Sequence, residues 1–369
     1  MFEIGRAERG LVGMREVGAS TCALREALVT LPRIVIPGAC ILITRRCFGR
    51  SFLLRPDPAV VALFAQVLSK AAAQYGLVIL GATQMSNHYH IVVHDRHGRC
   101  PKFVGWMNAK LTRELNRLRG RVDTMWEARQ TSVVELGDAE SVLEALAYVH
   151  LNPMAAGLVS DPTAWPGLVT GPDDFEPPEV AGAVRSGIPV QVPPTHAHLK
   201  PGDFAARLRA RIEARARWIR TSMTQLGRTF GTPEEALNVA WQASPSQSLG
   251  LVENGDEGDS NEDELLTVLR RGIGEEVPEV DVTTETACHT EAPHSRRGGS
   301  AINPTVKAAS PERRAGMLAR LRAFREAYAK ALNKLRQGLS AIFPGGTWQL
   351  CRTLNLPAGP APLPAWQLA

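Results

Sequence analysis

The sequence predicts an α+β domain with helices packed against an antiparallel sheet, followed by a mainly helical and partly disordered C-terminal extension. Three observations predict it. Between about residues 33 and 155 the apolar pattern runs strand, helix, strand, strand, helix, strand, helix. The two adjacent strands are joined by a turn short enough for an antiparallel hairpin. Beyond Trp165-Pro166 the composition turns rich in Pro and Gly, then Arg-rich, then polar and acidic.

In chain order, residues 1–31 have no clear period and form an N-terminal extension. Ala39 to Thr44, after Pro37-Gly38, is a β-rich first strand. Asp57 before Pro58 has the form of an N-cap, and Val60, Phe64, Val67, Leu68 and Ala71 continue at helical spacing to Gly76. Leu77 to Ala82 and the segment starting at His88 form the hairpin around Ser86-Asn87. A helix from Pro101 to Arg119 buries Phe103, Val104, Met107, Leu111, Leu115 and Leu118, and its other face carries Lys102, Lys110, Arg113, Arg117 and Arg119. Those cations read as a solvated face or as a phosphate-contacting one. Thr131 to Leu136 is the fourth strand, and Asp138 caps a helix starting at Ala139. The domain ends near residue 170, a Pro/Gly-rich linker spans 171–200, and a basic helical segment spans 201–243. Residues 244–305 are expected to be mostly disordered, and 306–350 hold a last helix, about Pro311 to Ser340, with a tail.

Composition bounds the partners. The chain has 369 residues, 44% of them apolar, and a formal charge of +5; its isoelectric point is near 9.0. That balance favours anionic partners, nucleic acid first among them. The six cysteines form no CxxC pair, which fits free thiols in a reducing cytoplasm. No apolar run reaches the roughly 18 residues of a membrane span, and charged residues interrupt the first 30.

The most informative stretch is Met85-Ser-Asn-His-Tyr-His-Ile-Val-Val-His94. Side chains alternate along a strand, so His88 and His90 point from one face, where two imidazoles can grip a divalent metal, while Tyr89 points away into a core. A His-x-His by itself is a weak signal in a chain with nine histidines. A second copy, His196-Ala197-His198, follows Pro193-Pro194 without a strand period and reads as linker. Of the four tyrosines, Tyr75, Tyr89, Tyr148 and Tyr328, only Tyr148 has a ligand-capable residue one helical turn on, Asn152, just before Pro153.

The hairpin stretch, together with Tyr148-Val-His-Leu-Asn-Pro-Met-Ala-Ala-Gly-Leu-Val, resembles the single-tyrosine transposases of the HUH endonuclease superfamily, in particular the REP-associated branch. Ile36-Pro37-Gly38, Asn116, Met125-Trp126-Glu127-Ala128-Arg129 and Pro162 to Trp165 add to the likeness, which covers about residues 32–168. It implies a ferredoxin-like, RRM-like sheet carrying the two histidines. His88 and His90 then fall on the metal-binding pair, Tyr148 on the nucleophile and Asn152 on the third ligand. It also implies Mg²⁺ or Mn²⁺ as cofactor and single-stranded or hairpin DNA as partner, with Lys110, Arg113, Arg117 and Arg129 as DNA contacts. The protein would work in the cytoplasm at the nucleoid, as a monomer or homodimer. The reaction expected is metal-dependent cleavage and transfer of a DNA strand through a 5′-phosphotyrosine, in transposition or the processing of mobile repeats. A phenol ionises near pH 10, so a metal and in-line positioning supply most of the rate. Two other readings stay open: a catalytically retired nucleic-acid-binding protein on the same fold, and a phosphodiesterase that uses water.

Overall fold

The computed structural model describes residues 32–128, 131–176, 186–245 and 306–368. The N-terminal extension, Arg129 and nearly all of the expected polar segment 244–305 lie outside the described residues. Strand β1 (Ala39–Arg46) leads to helix α1 (Pro58–Tyr75), then β2 (Val78–Gln84), β3 (His88–Asp95), α2 (Cys100–Arg119), β4 (Ser132–Leu136) and α3 (Ala139–Ala155). The expected order of elements is thus present. The sheet has five strands in the order β2-β3-β1-β4-β5, where β5 (Val306–Lys307) is a short strand the sequence did not suggest. β1 pairs antiparallel with β3 and β4, β3 pairs antiparallel with β2, and only β4 and β5 run parallel. Each helical crossover spans an intervening strand, which is the split βαβ arrangement.

Local chemistry sets the element ends. Asp138 accepts from the Ser141 amide at 2.7 Å while the Ser141 hydroxyl accepts from the Asp138 amide at 3.2 Å, a reciprocal cap on α3. The Asp95 carboxylate accepts from the Arg99 and Cys100 amides at 2.8 and 2.7 Å and so caps α2. Asp57, expected to cap α1, makes no side-chain cap. Its carboxylate takes Arg55 and Arg119 instead, each within 2.9 Å, and this draws Arg119 off the solvated face expected for it. Two guanidinium donors outcompete a backbone amide for one carboxylate.

The sheet is covered on both sides. On one side α1 and α2 close over Ile41, Ile43, Ile79, Tyr89, Ile91 and Val93. On the other, α3 lies on Cys40, Val78, Leu80, Val92 and Leu136, and is backed by α4 (Pro201–Gln225) through Phe204, Leu208, Ile212 and Ile219. α5 (Pro233–Asn238) follows, and after β5 come α6 (Pro311–Arg336) and α7 (Gln349–Leu354). α6 stops one turn earlier than the sequence suggests. Leu118, assigned to the buried face of α2, is 49% exposed at that helix's end. The described cysteines, Cys40, Cys47, Cys100 and Cys351, are buried free thiols. No helix among the described residues is long and apolar enough to cross a membrane.

The stretch read as a linker is packed. The Gln191 amide donates to the Ile79 carbonyl at 3.2 Å, Ile188 is buried, and His196 is 1% exposed with its ring 5.1 Å from that of Phe204. Prolines restrict this segment's backbone without needing a period, and its few apolar side chains anchor it. The His196 and His198 rings stack at 6.4 Å, so this second His-x-His has a fixed geometry after all. The cations of α4 are also committed. Arg211 and Arg215 pair with Glu144, Arg211 also with Glu140, and Arg209 with Asp173 and Glu176.

His196 gives the fold a measurable pH dependence. Its Nδ1 meets the Thr195 hydroxyl at 3.0 Å and its Nε2 is buried without a partner. Burial, then the Arg207 charge, pushes its pKa down to about 4. The unfolded chain takes up this proton near pH 6.5, the folded chain only near 4, so the linked stability is full above 6.5 and lost as pH falls toward 4. In urea titrations at pH 7 and pH 4.5, His196→Leu is expected to remove roughly 2 kcal/mol of the acid-induced loss seen in the wild type.

Candidate active site

β3 occupies the second position in the sheet, paired on both sides, and its alternation decides what each residue meets. Tyr89 turns into the α1/α2 side, fully buried, with its hydroxyl donating to Asn108 Oδ1 at 2.8 Å and its ring 5.6 Å from Phe64 and 5.7 Å from Trp126. His88 and His90 turn to the α3 side, 6% and 5% exposed, with ring centroids 4.8 Å apart.

Each imidazole is held by one nitrogen. Asn87 Oδ1 lies 2.6 Å from His88 Nδ1, and because an amide oxygen only accepts, that nitrogen carries the proton. Thr44 sits opposite His90 in the β1/β3 register, with its hydroxyl 2.8 Å from His90 Nδ1. The neutral His88 ring is thereby held with its proton on Nδ1, whereas the Thr44 hydroxyl can donate or accept and so accommodates either tautomer of His90.

α3 brings the phenol. The Thr83 hydroxyl donates to the Val149 carbonyl at 2.5 Å, and His150 Nδ1, protonated, donates to the Thr170 carbonyl at 2.9 Å, so the helix is tied to β2 and to the segment that follows it. Gly81 makes the approach possible, since a Cβ there would stand 2.7 Å from Leu146. The Tyr148 hydroxyl then lies 3.4 Å from His90 Nε2, with ring centroids 5.1 Å apart. Asn152 is one turn on along the same helix face, 7% exposed, and its side-chain amide makes no hydrogen bond to a described residue. Pro153 does not end the helix, which runs on to Ala155, yet Asn152 still falls in its last turn.

The site is electrostatically unusual. Burial first, then the neighbouring His88 and Arg46, hold the His90 pKa well below the ordinary histidine range. His90 is thus neutral at physiological pH and a poor base toward a phenol. Arg46 stands opposite His88 in the β1/β3 register and puts a cation beside the pair.

Among the sequence-predicted residues, the structure brings together His88, His90 and Tyr148, with Asn152 on the same helix face. Lys110, Arg113 and Arg117 are elsewhere. α2 covers the opposite side of the sheet, where Lys110 and Arg117 share Glu114 at 2.6 and 3.3 Å and Arg113 is exposed. His94 continues the His88/His90 face, half-buried at the far end of the strand. Asn87, Thr44 and Arg46 were missed. Asn87 had a local signal, a carboxamide next to the first histidine, whereas Thr44 and Arg46 meet the site through strand register. Among the described residues no three or more His, Cys, Asp or Glu side chains gather as a metal-ligand group. The candidate set here is two imidazoles and an amide.

No family model matches the chain, and no curated protein does. Among solved structures, that of a REP-associated tyrosine transposase bound to a REP hairpin is similar over 37% of this chain and 78% of that one, at 16% identity and a TM-score of 0.32.

The tautomers are directly measurable. Long-range ¹H–¹⁵N spectra are expected to show His88 protonated on Nδ1 at pH 7. Asn87→Ala should return His88 to a mixture of tautomers and leave His90 unchanged.

Proposed function

We propose that this chain is a metal-dependent single-stranded DNA endonuclease and strand transferase on an HUH endonuclease fold, with Tyr148 as its nucleophile. One observation carries the reading: the Tyr148 hydroxyl stands 3.4 Å from His90 Nε2, at the edge of a pair of imidazoles whose other nitrogens are already engaged. The sequence resemblance at Met85–Val93 and Tyr148–Val159 points the same way.

In this reading His88 and His90, with Asn152 as third ligand, would hold Mg²⁺ or Mn²⁺. Two neutral imidazoles and a neutral amide fit a divalent ion that leaves positions open for a phosphate. The bound ion would supply charge stabilisation to the non-bridging oxygens of the scissile phosphate. The protein's share is placement. Tyr148 gives up its phenolic proton to solvent and attacks the phosphorus, the Tyr148 Oη–P bond forms, the P–O3′ bond breaks, and the 3′ oxygen leaves and takes a proton from solvent to become a hydroxyl. The phosphotyrosine keeps the bond energy for rejoining to another strand. Arg46, beside the imidazole pair, is suited to the negative charge of the strand. Lys110, Arg113 and Arg117 remain proposed phosphate contacts, and a strand engaging both them and Tyr148 has to pass around the edge of the sheet.

The test is covalent capture. Incubated with labelled single-stranded hairpin DNA and Mn²⁺, the wild type is expected to form a denaturation-resistant adduct that Tyr148→Phe abolishes, and removing the metal with a chelator should abolish it too. His88→Ala or His90→Ala should weaken Mn²⁺ binding about 10- to 100-fold. Hairpin binding without any wild-type adduct would instead mean a nucleic-acid-binding protein. Cleavage surviving in Tyr148→Phe would make water the nucleophile.

A further inference from the structure

On the side of the sheet facing away from Tyr148, α2 and α6 border one common space. Between them lies a half-open cavity of about 680 Å³, floored by β1 and β4 and closed at one end by the segment from Thr347 to Leu350. Its size falls within the roughly 300–1,000 Å³ usual for small-ligand sites. It joins the first domain to the C-terminal helices, so neither part forms it alone.

Its lining is cationic and aromatic together. Arg33, Arg45 and Arg325 all border it, and Phe324 and Trp348 supply ring surface. Arg33 makes no hydrogen bond or ion pair among the described residues, and the buried Arg325 Nε has no partner. Partial desolvation first, with the Arg45 charge a smaller contribution, opposes the charge of Arg33, whose residue surface is still exposed to solvent. Among the described residues of the lining the one carboxylate, Glu135, is already taken by Arg320 and by the Ala365 amide at 3.1 Å. A neutral or cationic occupant would leave Arg33 and Arg325 without a counter-charge among the described residues. Asn108 adds a directional group: its Oδ1 is fixed by the Tyr89 hydroxyl, so its NH₂ is left to donate.

From this juxtaposition of the Arg33 and Arg325 guanidinium groups, aromatic surface and an oriented amide, we propose that the cavity is a second site that binds a nucleoside 5′-phosphate, separate from the Tyr148 site. The guanidinium groups take the phosphate, Phe324 and Trp348 take the base by stacking, and Asn108 donates to a base-edge acceptor. A free nucleotide and an unpaired nucleotide within a strand share this chemistry.

The proposal is tested on the full-length chain carrying Tyr148→Phe, so that strand cleavage cannot contribute and failure of the proposed reaction leaves the result readable. The probes are 2′-deoxyadenosine 5′-monophosphate, inorganic phosphate and an unstructured single-stranded 20-mer, followed by calorimetry and by quenching of Trp348 fluorescence. The nucleotide is expected to bind at least about tenfold more tightly than inorganic phosphate. Arg33→Gln/Arg325→Gln should weaken it by about tenfold or more without lowering the melting temperature, since neither side chain has a hydrogen-bond or ion-pair partner among the described residues. Trp348→Phe should remove most of the quenching signal while calorimetric binding persists. Competition between the 20-mer and the nucleotide assigns the site to a strand, and independent binding assigns it to a free nucleotide. No nucleotide binding at millimolar concentration, equal affinity for phosphate, or binding indifferent to the double substitution overturns it.

Discussion

A strand paired on both edges and covered on both faces has no water for its side chains, and β3 is such a strand. Every polar group on it must be satisfied within the protein or for a ligand. Tyr89 meets that constraint on one face through Asn108, and its ring fills the space between Phe64 and Trp126. Alternation then obliges His88 and His90 to meet it on the other face, beneath α3. The fixed Tyr89 orients the strand so that both imidazoles share one direction, and Asn87 and Thr44 each engage one nitrogen of an imidazole. Tyr148 enters this geometry late, carried by a helix whose own position depends on Gly81 and Thr83 of β2. The site is therefore a by-product of sheet order as much as of its own residues.

That dependence explains what could be read from the sequence. Periods of two and of 3.6 belong to short stretches, so the four main strands and α1 to α3 were visible, as was the shared face of His88 and His90. The spacing of Tyr148 and Asn152 is also local. Thr44 and Arg46 were not visible as site residues because they reach β3 across a register 46 and 42 positions away in the chain. Asp57 looked like a cap because caps are recognised by residue type, and nothing nearby reveals that Arg119 will arrive to claim the carboxylate. The segment around His196 looked like a linker because proline conceals period, while its burial rests on Phe204, which belongs to the next helix.

The arginines of α4 show a different limit. A run of cations on an amphipathic helix reads as an anion-binding surface when its partners are unknown. Here Glu140 and Glu144 on α3 and Asp173 and Glu176 beyond it supply the counter-charges, so much of the helix's charge is internal to the fold. Those pairs hold α4 against the helix that carries Tyr148, and the apolar stripe from Phe204 to Ile219 does the same by burial. The C-terminal extension therefore supports the site from behind. On the other side of the sheet the same extension adds Arg325, whose buried Nε has no partner, to the lining of an open cavity. Charge in this chain is better judged by which carboxylates remain than by how many cations are present.

The electrostatics of the imidazole pair limit how the phenol can be made reactive. His90 is the group nearest the Tyr148 hydroxyl, but burial and the Arg46 charge hold it neutral and lower its basicity further. Deprotonating a phenol with so weak a base is uphill by several pKa units, each worth about 1.4 kcal/mol. General-base activation by His90 is thus the less economical explanation of the contact. The same features favour a ligand: a neutral, desolvated imidazole with an engaged Nδ1 offers Nε2 without first having to lose a proton. Arg46, which depresses the basicity of His90, is also placed to attract a phosphate to the neighbouring phenol. What makes the pair a poor base makes it a better anchor.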